Sequence, residues 1–231
     1  MSGNPVEGGT AEIGGSDARH MTSVLRLGVG NKIRVFTEGS KAFFAEITET
    51  SRNRVVIRML GETTAPGLKP PKIHLAVGAG KPQAMEVAVQ KAVELGCLKF
   101  FPLITERSEL LTTSRTQRLR RIAVEACKQC GRAEPIELSD PVTLADLPKE
   151  GLKIALWEDE EETTLKTALE GLETPLIITL VVGPVGGFAA DEISEMRAAG
   201  FVTARFGPLI LRTETAAISL VAVINYHFNR M

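Results

Sequence analysis

The chain has 231 residues, 44% of them hydrophobic and 24% charged, which is enough apolar content to bury one large core or two smaller ones. No stretch reaches about 18 unbroken apolar residues, and no basic segment leads into an apolar run with a small-residue cleavage site. A membrane-spanning helix and a secretory leader are therefore not expected, and the cytoplasm is the expected compartment. Three cysteines, Cys97, Cys127 and Cys130, cannot build a disulfide framework and fit a reducing environment. The formal charge of -1 hides an uneven distribution. Between Glu106 and Arg132 the basic residues Arg107, Arg115, Arg118, Arg120, Arg121, Lys128 and Arg132 face only Glu106, Glu109 and Glu125. The run "EDEEE", Glu158 to Glu162, offsets them. Charge runs of either sign are ordinarily solvated faces.

The first eighteen residues are Gly-rich and weakly patterned, and are expected to be partly flexible. From 19 to 60, "KIRVFT", "KAFFAEI" and "RVVIRML" alternate with polar turns and predict a small β domain. "GETTAPGLKPPK", residues 61–72, carries three prolines and two glycines and reads as a linker. Residues 1–70 and 71–231 are thus expected to form separate domains. Beyond the linker, strand-like "IHLAVG", "KFFPLIT", "KIALWE", "PLIITLVVG" and "FVTARFG" alternate with helix-like "QAMEVAVQKAVELG", "TQRLRRIAVEACKQCG", "TLKTALEG", "AADEISEMRAAG" and "TETAAISLVAVINYHF". That order predicts an α/β domain with a mostly parallel sheet.

Ligands of such sheets sit beyond the carboxyl ends of strands, which singles out three loops: "WEDEE", "GPVGGF" and "GPLILRTETA". The glycines lack the G-x-G-x-x-G spacing, and there is no G-x-x-x-x-G-K-[ST], so the common nucleotide fingerprints are absent. Gly183, Gly186 and Gly187 with Pro184 suit close backbone approach to a ligand, and equally suit a tight strand-to-helix turn. Thr213 is placed to N-cap the last helix, with Glu214 in its positively polarised first turn. Arg212 has no such role and, if buried, needs an anion or acceptors. "CKQC" has metal or redox spacing, but lies in a helical pattern without a second pair. His20, His74 and His227 are scattered, and no metal site is expected.

Taken in order, "RHMTSVLRLGVGNKIRVF", "QKAVELG", "PLITERS", "EACKQCGR", "VVGPVGGF" and "ILRTETA" resemble the bacterial small-subunit ribosomal RNA uridine-N3 methyltransferases, which belong to the SPOUT class. The resemblance runs from about Arg19 to the C-terminus. It implies an N-terminal PUA-like β-barrel that helps hold RNA and a methyltransferase domain with a deep trefoil knot. It also implies a homodimer, for which the apolar "AAISLVAVI" is a candidate interface. The substrate it implies is 16S rRNA in the small ribosomal subunit, with no metal required.

By the same resemblance S-adenosylmethionine lies against Leu156, Trp157 and Glu158, against Val182, Gly183, Pro184, Gly186 and Gly187, and against Phe206, Gly207, Leu209, Ile210, Leu211, Arg212, Thr215 and Ala216. RNA phosphates are implied for Arg19, His20, Arg26, Lys81, Lys91, Arg107 and Arg132. Arg212 is the candidate for polarising the uracil, and Glu214 the alternative base. Two positions depart from the family pattern: Val185 stands where it has Glu, and Leu209 where it has Arg. They motivate a second reading, a catalytically silent RNA-binding or assembly protein.

Overall fold

A computed structural model describes residues 8–36, 41–63, 67–132 and 134–230. The chain divides into two units, one comprising Met1–Gly67 with Gly131–Glu134 and the other Leu68–Cys130 with Pro135–Met231.

The first unit contains β1 (Thr10–Gly14), α1 (Gly15–Arg19) continuing into a π-helical turn (His20–Val24), β2 (Lys32–Phe36), β3 (Ala42–Ser51) and β4 (Arg54–Thr63). The strands form one antiparallel sheet in the order β1-β4-β3-β2. Strand alternation drives this arrangement: Ala45, Ile47, Val55, Ile57 and Met59 turn to one side and bury against Val35, Phe43 and Ala18 of α1. Two differences from the sequence reading stand out. Residues 10–14, expected to be unpatterned, pair along their length with β4. Gly61–Thr63, placed in the linker, belong to β4 and pair with Ala42, Phe43 and Phe44.

The second unit is a six-stranded parallel sheet with helices on both sides. Its strands are β5 (Lys72–Gly78), β6 (Lys99–Leu103), β7 (Glu137–Leu138), β8 (Leu152–Leu156), β9 (Ile177–Val182) and β10 (Val202–Ala204), in the order β10-β8-β9-β5-β6-β7. The largely apolar β5 and β9 lie at the centre, where both faces are covered, and His74 and Thr179, paired across them, are their buried polar residues. Ile73, Leu75, Val77, Ile154, Leu156, Ile178, Leu180 and Val182 point toward α2 (Pro82–Glu94), α3 (Thr113–Cys130), α4 (Leu165–Leu169) and α6 (Thr213–His227). Ala76, Ala155 and Val181 point the other way, toward Ile193 and Met196 of α5 (Ala190–Ala198).

Two expectations about α6 change. Arg212 holds the N-cap position without a side-chain cap, and Thr213 is the first helical residue, with its side chain buried. Much of "AAISLVAVI" is consumed by the unit's own core, with Ala216, Ala217, Leu220, Val221 and Ile224 all buried. Ile218 and Ala222 remain half-buried, and Val223 packs against the edge of that core.

Candidate cofactor and active site

The loops leaving β8, β9 and β10 meet at the carboxyl end of the sheet around a cavity of about 530 Å³. Leu156, Trp157 and Glu158 line it from the first loop, Val182, Gly183, Pro184, Val185 and Gly187 from the second, and residues 205–214 with Ala216 from the third. Lys81 and Ala84 complete it from the start of α2. The volume and the mixed lining, apolar side chains beside exposed backbone, match a small-molecule site at the position where such sheets bind ligands.

Backbone stitching holds the first and third loops together. Trp157 N–H donates to the Ala204 carbonyl at 3.0 Å, Arg205 N–H to Thr163 at 2.9 Å, and Leu165 N–H to Arg205 at 2.8 Å. The second loop closes on a Gly187 N–H to Pro184 carbonyl bond of 2.9 Å, with Gly187 at φ +68°. Its glycines are needed by the protein itself. A Cβ on Gly187 would collide with the Glu158 carboxylate, and one on Gly186 would press on the Arg107 side chain at 3.2 Å. Space read from the sequence as room for a ligand is therefore, at these two positions, filled by neighbouring side chains.

Arg107 is committed to this loop. Its Nη1 donates to the Gly186 carbonyl at 2.7 Å and more weakly to that of Phe188 at 3.5 Å. Beside it, the Glu192 carboxylate accepts from the N–H of Glu106 at 2.8 Å and from that of Ala189 at 2.9 Å. The turn carrying Arg107 is fixed by Ser108, whose hydroxyl donates to the Leu103 carbonyl and accepts from the Thr105 N–H, both at 3.1 Å. The "ERS" and "GPVGGF" segments thus form one clasp, in which Arg107 holds the glycine loop.

The acidic run is not wholly a solvated face. Glu160 is 5% exposed, and its carboxylate accepts from the Thr203 hydroxyl at 2.5 Å, Arg197 at 2.8 Å, and the N–H groups of Glu162 and Thr163 at 3.1 and 3.3 Å. Burial pushes this carboxyl upward, but the bonds from Thr203, Glu162, Arg197 and Thr163 outweigh it and hold it below the ordinary carboxylate value. Arg197 also lies 5.2 Å over the Trp157 ring, so the loop that leads from the cavity wall is pinned at both ends. A second cavity of about 510 Å³ shares Trp157 and runs along residues 159–163.

Models of known families match both units: an RNA methyltransferase domain over residues 68–225 and an RNA methyltransferase PUA domain over residues 13–60. The chain belongs to this RNA methyltransferase family. It is 30% identical over 209 residues to ribosomal RNA small subunit methyltransferase E of Rickettsia conorii, covering 89% of this chain and 84% of the relative. The counterpart in Aquifex aeolicus is 36% identical over 151 residues, and that match spans 62% of each protein. Among solved structures, a methyltransferase from Legionella pneumophila in complex with the cofactor SAM is 32% identical, with a TM-score of 0.85 and coverage of 97% of this chain and 94% of that one. Ribosomal RNA small subunit methyltransferase E from Neisseria gonorrhoeae, bound to S-adenosyl methionine, is 28% identical, with a TM-score of 0.86 and coverage of 98% and 95%.

Within this RNA methyltransferase fold, every residue implied for the cofactor lines the 530 Å³ cavity except Gly186, which faces Arg107, and Thr215, which is exposed on the first turn of α6. Sequence reasoning missed Ala84 and Arg205 as lining residues and assigned Lys81 to RNA alone. The "GKP" that joins β5 to α2 was the available signal, being one more loop at a strand's carboxyl end. Arg212 is exposed and Glu214 half-buried; both line the cavity, and neither side chain makes a hydrogen bond or ion pair among the described residues. Val185 and Leu209, 71% and 76% exposed, give the same cavity an apolar rim.

The residues implied for RNA contact are divided between the two units. Arg19, His20 and Arg26 are exposed in the first unit, and Lys81 is exposed at the cavity. Lys91 is engaged by Glu94 at 2.8 Å, and Arg132 is half-buried. The basic segment along α3 is largely neutralised by its neighbours: Arg115 pairs with Glu109, Arg118 with Glu86, Arg120 with Asp140 and Lys128 with Glu125. Cys127 is buried and Cys130 exposed. Among the described residues no three His, Cys, Asp or Glu side chains converge as a metal site, and no helix is long and apolar enough to cross a membrane.

Proposed function

We propose that this protein methylates N3 of a uridine in 16S rRNA of the small ribosomal subunit, using S-adenosylmethionine. One observation carries the reading: the three loops that the family resemblance assigns to the cofactor enclose a single cavity of about 530 Å³ in a chain of an RNA methyltransferase family. Leu156, Val182, Phe206, Leu211 and Ala216 supply its apolar lining, and the backbone of residues 156–158, 182–185 and 206–212 supplies polar groups for an adenosine and an amino-acid moiety. When bound, S-adenosylmethionine supplies a methyl carbon on a sulfonium centre, open to in-line attack.

The chain's own groups prepare the acceptor. Arg212, exposed at the cavity and uncommitted, polarises the uracil and stabilises the negative charge that develops as the N3 proton leaves. Glu214, one half-turn into α6, takes that proton. Val185 and Leu209 place apolar side chains at the cavity rim. The protein acts as a homodimer with its cofactor loops threaded as a trefoil knot, and works in the cytoplasm where ribosomes are assembled.

A second reading, a silent RNA-binding or assembly protein, is favoured by Val185 and Leu209, which replace the Glu and Arg of the family pattern within the same rim. Purified protein incubated with labelled S-adenosylmethionine and small subunits lacking the mark separates the two. Incorporation mapping to uridine N3 supports the enzyme. RNA binding without incorporation supports the silent protein.

A further inference from the structure

The outward face of the N-terminal sheet carries an aromatic side chain that its core does not use. Strand register places Lys32, Glu46 and Arg58 in one cross-strand row, and Arg34, Phe44 and Gly61 in the next. In the first row Arg58 donates to Glu46 at 2.6 Å, so those two charges satisfy each other. The second row is unsatisfied. Phe44 is 44% exposed, the Arg34 guanidinium sits 5.5 Å from its ring centroid, and the neighbour on the other flank is a glycine with no side chain to cover the ring. Neither Arg34 nor Lys32 makes an ion pair among the described residues.

We propose that Phe44 and Arg34 form a stacking site for an unpaired RNA base, with Lys32, two residues along β2 on the same face, taking an adjoining phosphate. The inference rests on the RNA methyltransferase reading above and adds a contact distinct from Arg19, His20 and Arg26. A planar base fits the open flank of the ring over Gly61, where stacking needs no particular sequence. One cation against the ring and a second in the neighbouring row match a strand of stacked bases and phosphates. They do not match an apolar protein partner, which would need a contiguous apolar patch.

The test uses the full-length protein, a short unstructured oligouridylate, and the same oligonucleotide made abasic. Phe44→Leu keeps the side chain apolar but removes the ring. It is expected to weaken oligouridylate binding about tenfold, with Phe44→Trp restoring it. Arg34→Gln should weaken binding and flatten its dependence on salt. The abasic probe should bind weakly and be indifferent to Phe44→Leu. Equal binding by wild type and Phe44→Leu overturns the site, as does an equal loss on both probes or a failure of wild type to bind oligouridylate. Methyl transfer to small subunits is scored separately, so a silent protein that stacks bases through Phe44 is told apart from an active one that does not.

Discussion

Arg107 donates a 2.7 Å hydrogen bond to the carbonyl of Gly186, across 79 residues of chain, and its aliphatic stem fills the space a Cβ on Gly186 would need. One side chain thus sets both the position of the glycine loop and the identity of a residue in it. Arg107→Ala is expected to lower S-adenosylmethionine affinity about tenfold, as befits loss of a bond from a charged donor, with a smaller effect on RNA binding. Calorimetry on both ligands checks this. A larger loss for RNA would make phosphate contact the main role of Arg107.

Glu160 anchors the first loop in the same way. Its carboxyl is held below the ordinary value, so its contribution to stability is complete above about pH 4.5 and is lost as pH falls through the lower value of the folded state. Glu160→Gln should destabilise the fold by about 2 kcal/mol at pH 7. It should also flatten the acid limb of a plot of Tm against pH. An unchanged acid limb would mean that Glu160 titrates as it does in the unfolded chain.

Val185 is 71% exposed, so Val185→Glu meets no packing obstacle, and the fold should keep its stability within about 0.5 kcal/mol. Methyl transfer should be preserved or raised, because the change restores the family's residue at the rim. Loss of cofactor binding, read by calorimetry, would show that this loop has been rebuilt around an apolar side chain.

Arg212→Ala and Glu214→Gln address the chemistry. Each should lower kcat about a hundredfold or more while changing cofactor affinity far less. Rate assays with small subunits, paired with cofactor titrations, measure both quantities. Equal losses in rate and affinity would make the residue a binding or structural group.

Much of the fold was legible because the signals were local. The largely apolar runs of β5 and β9 and the 3.6-residue patterns of α2 and α3 each declare an element within a dozen residues or so. β1 escaped because only Ala11 and Ile13 turn inward, and β7 because it pairs only two residues. The site was legible as three loops, through strand ends and the family resemblance. Its internal wiring was not, since the bonds from Arg107 to Gly186 and from Glu106 to Glu192 span 79 and 86 residues and leave no periodic trace. Glu160 was misread for a related reason. In a run of five acidic residues, only the fold decides which one turns inward to Thr203 and Arg197.

The most direct measurement is methyl transfer from labelled S-adenosylmethionine to small ribosomal subunits that lack the mark, followed by mapping of the modified base. Incorporation at N3 of one 16S rRNA uridine, abolished in Arg212→Ala, is the predicted result. Absence of incorporation by a wild-type protein that still binds the RNA would contradict it.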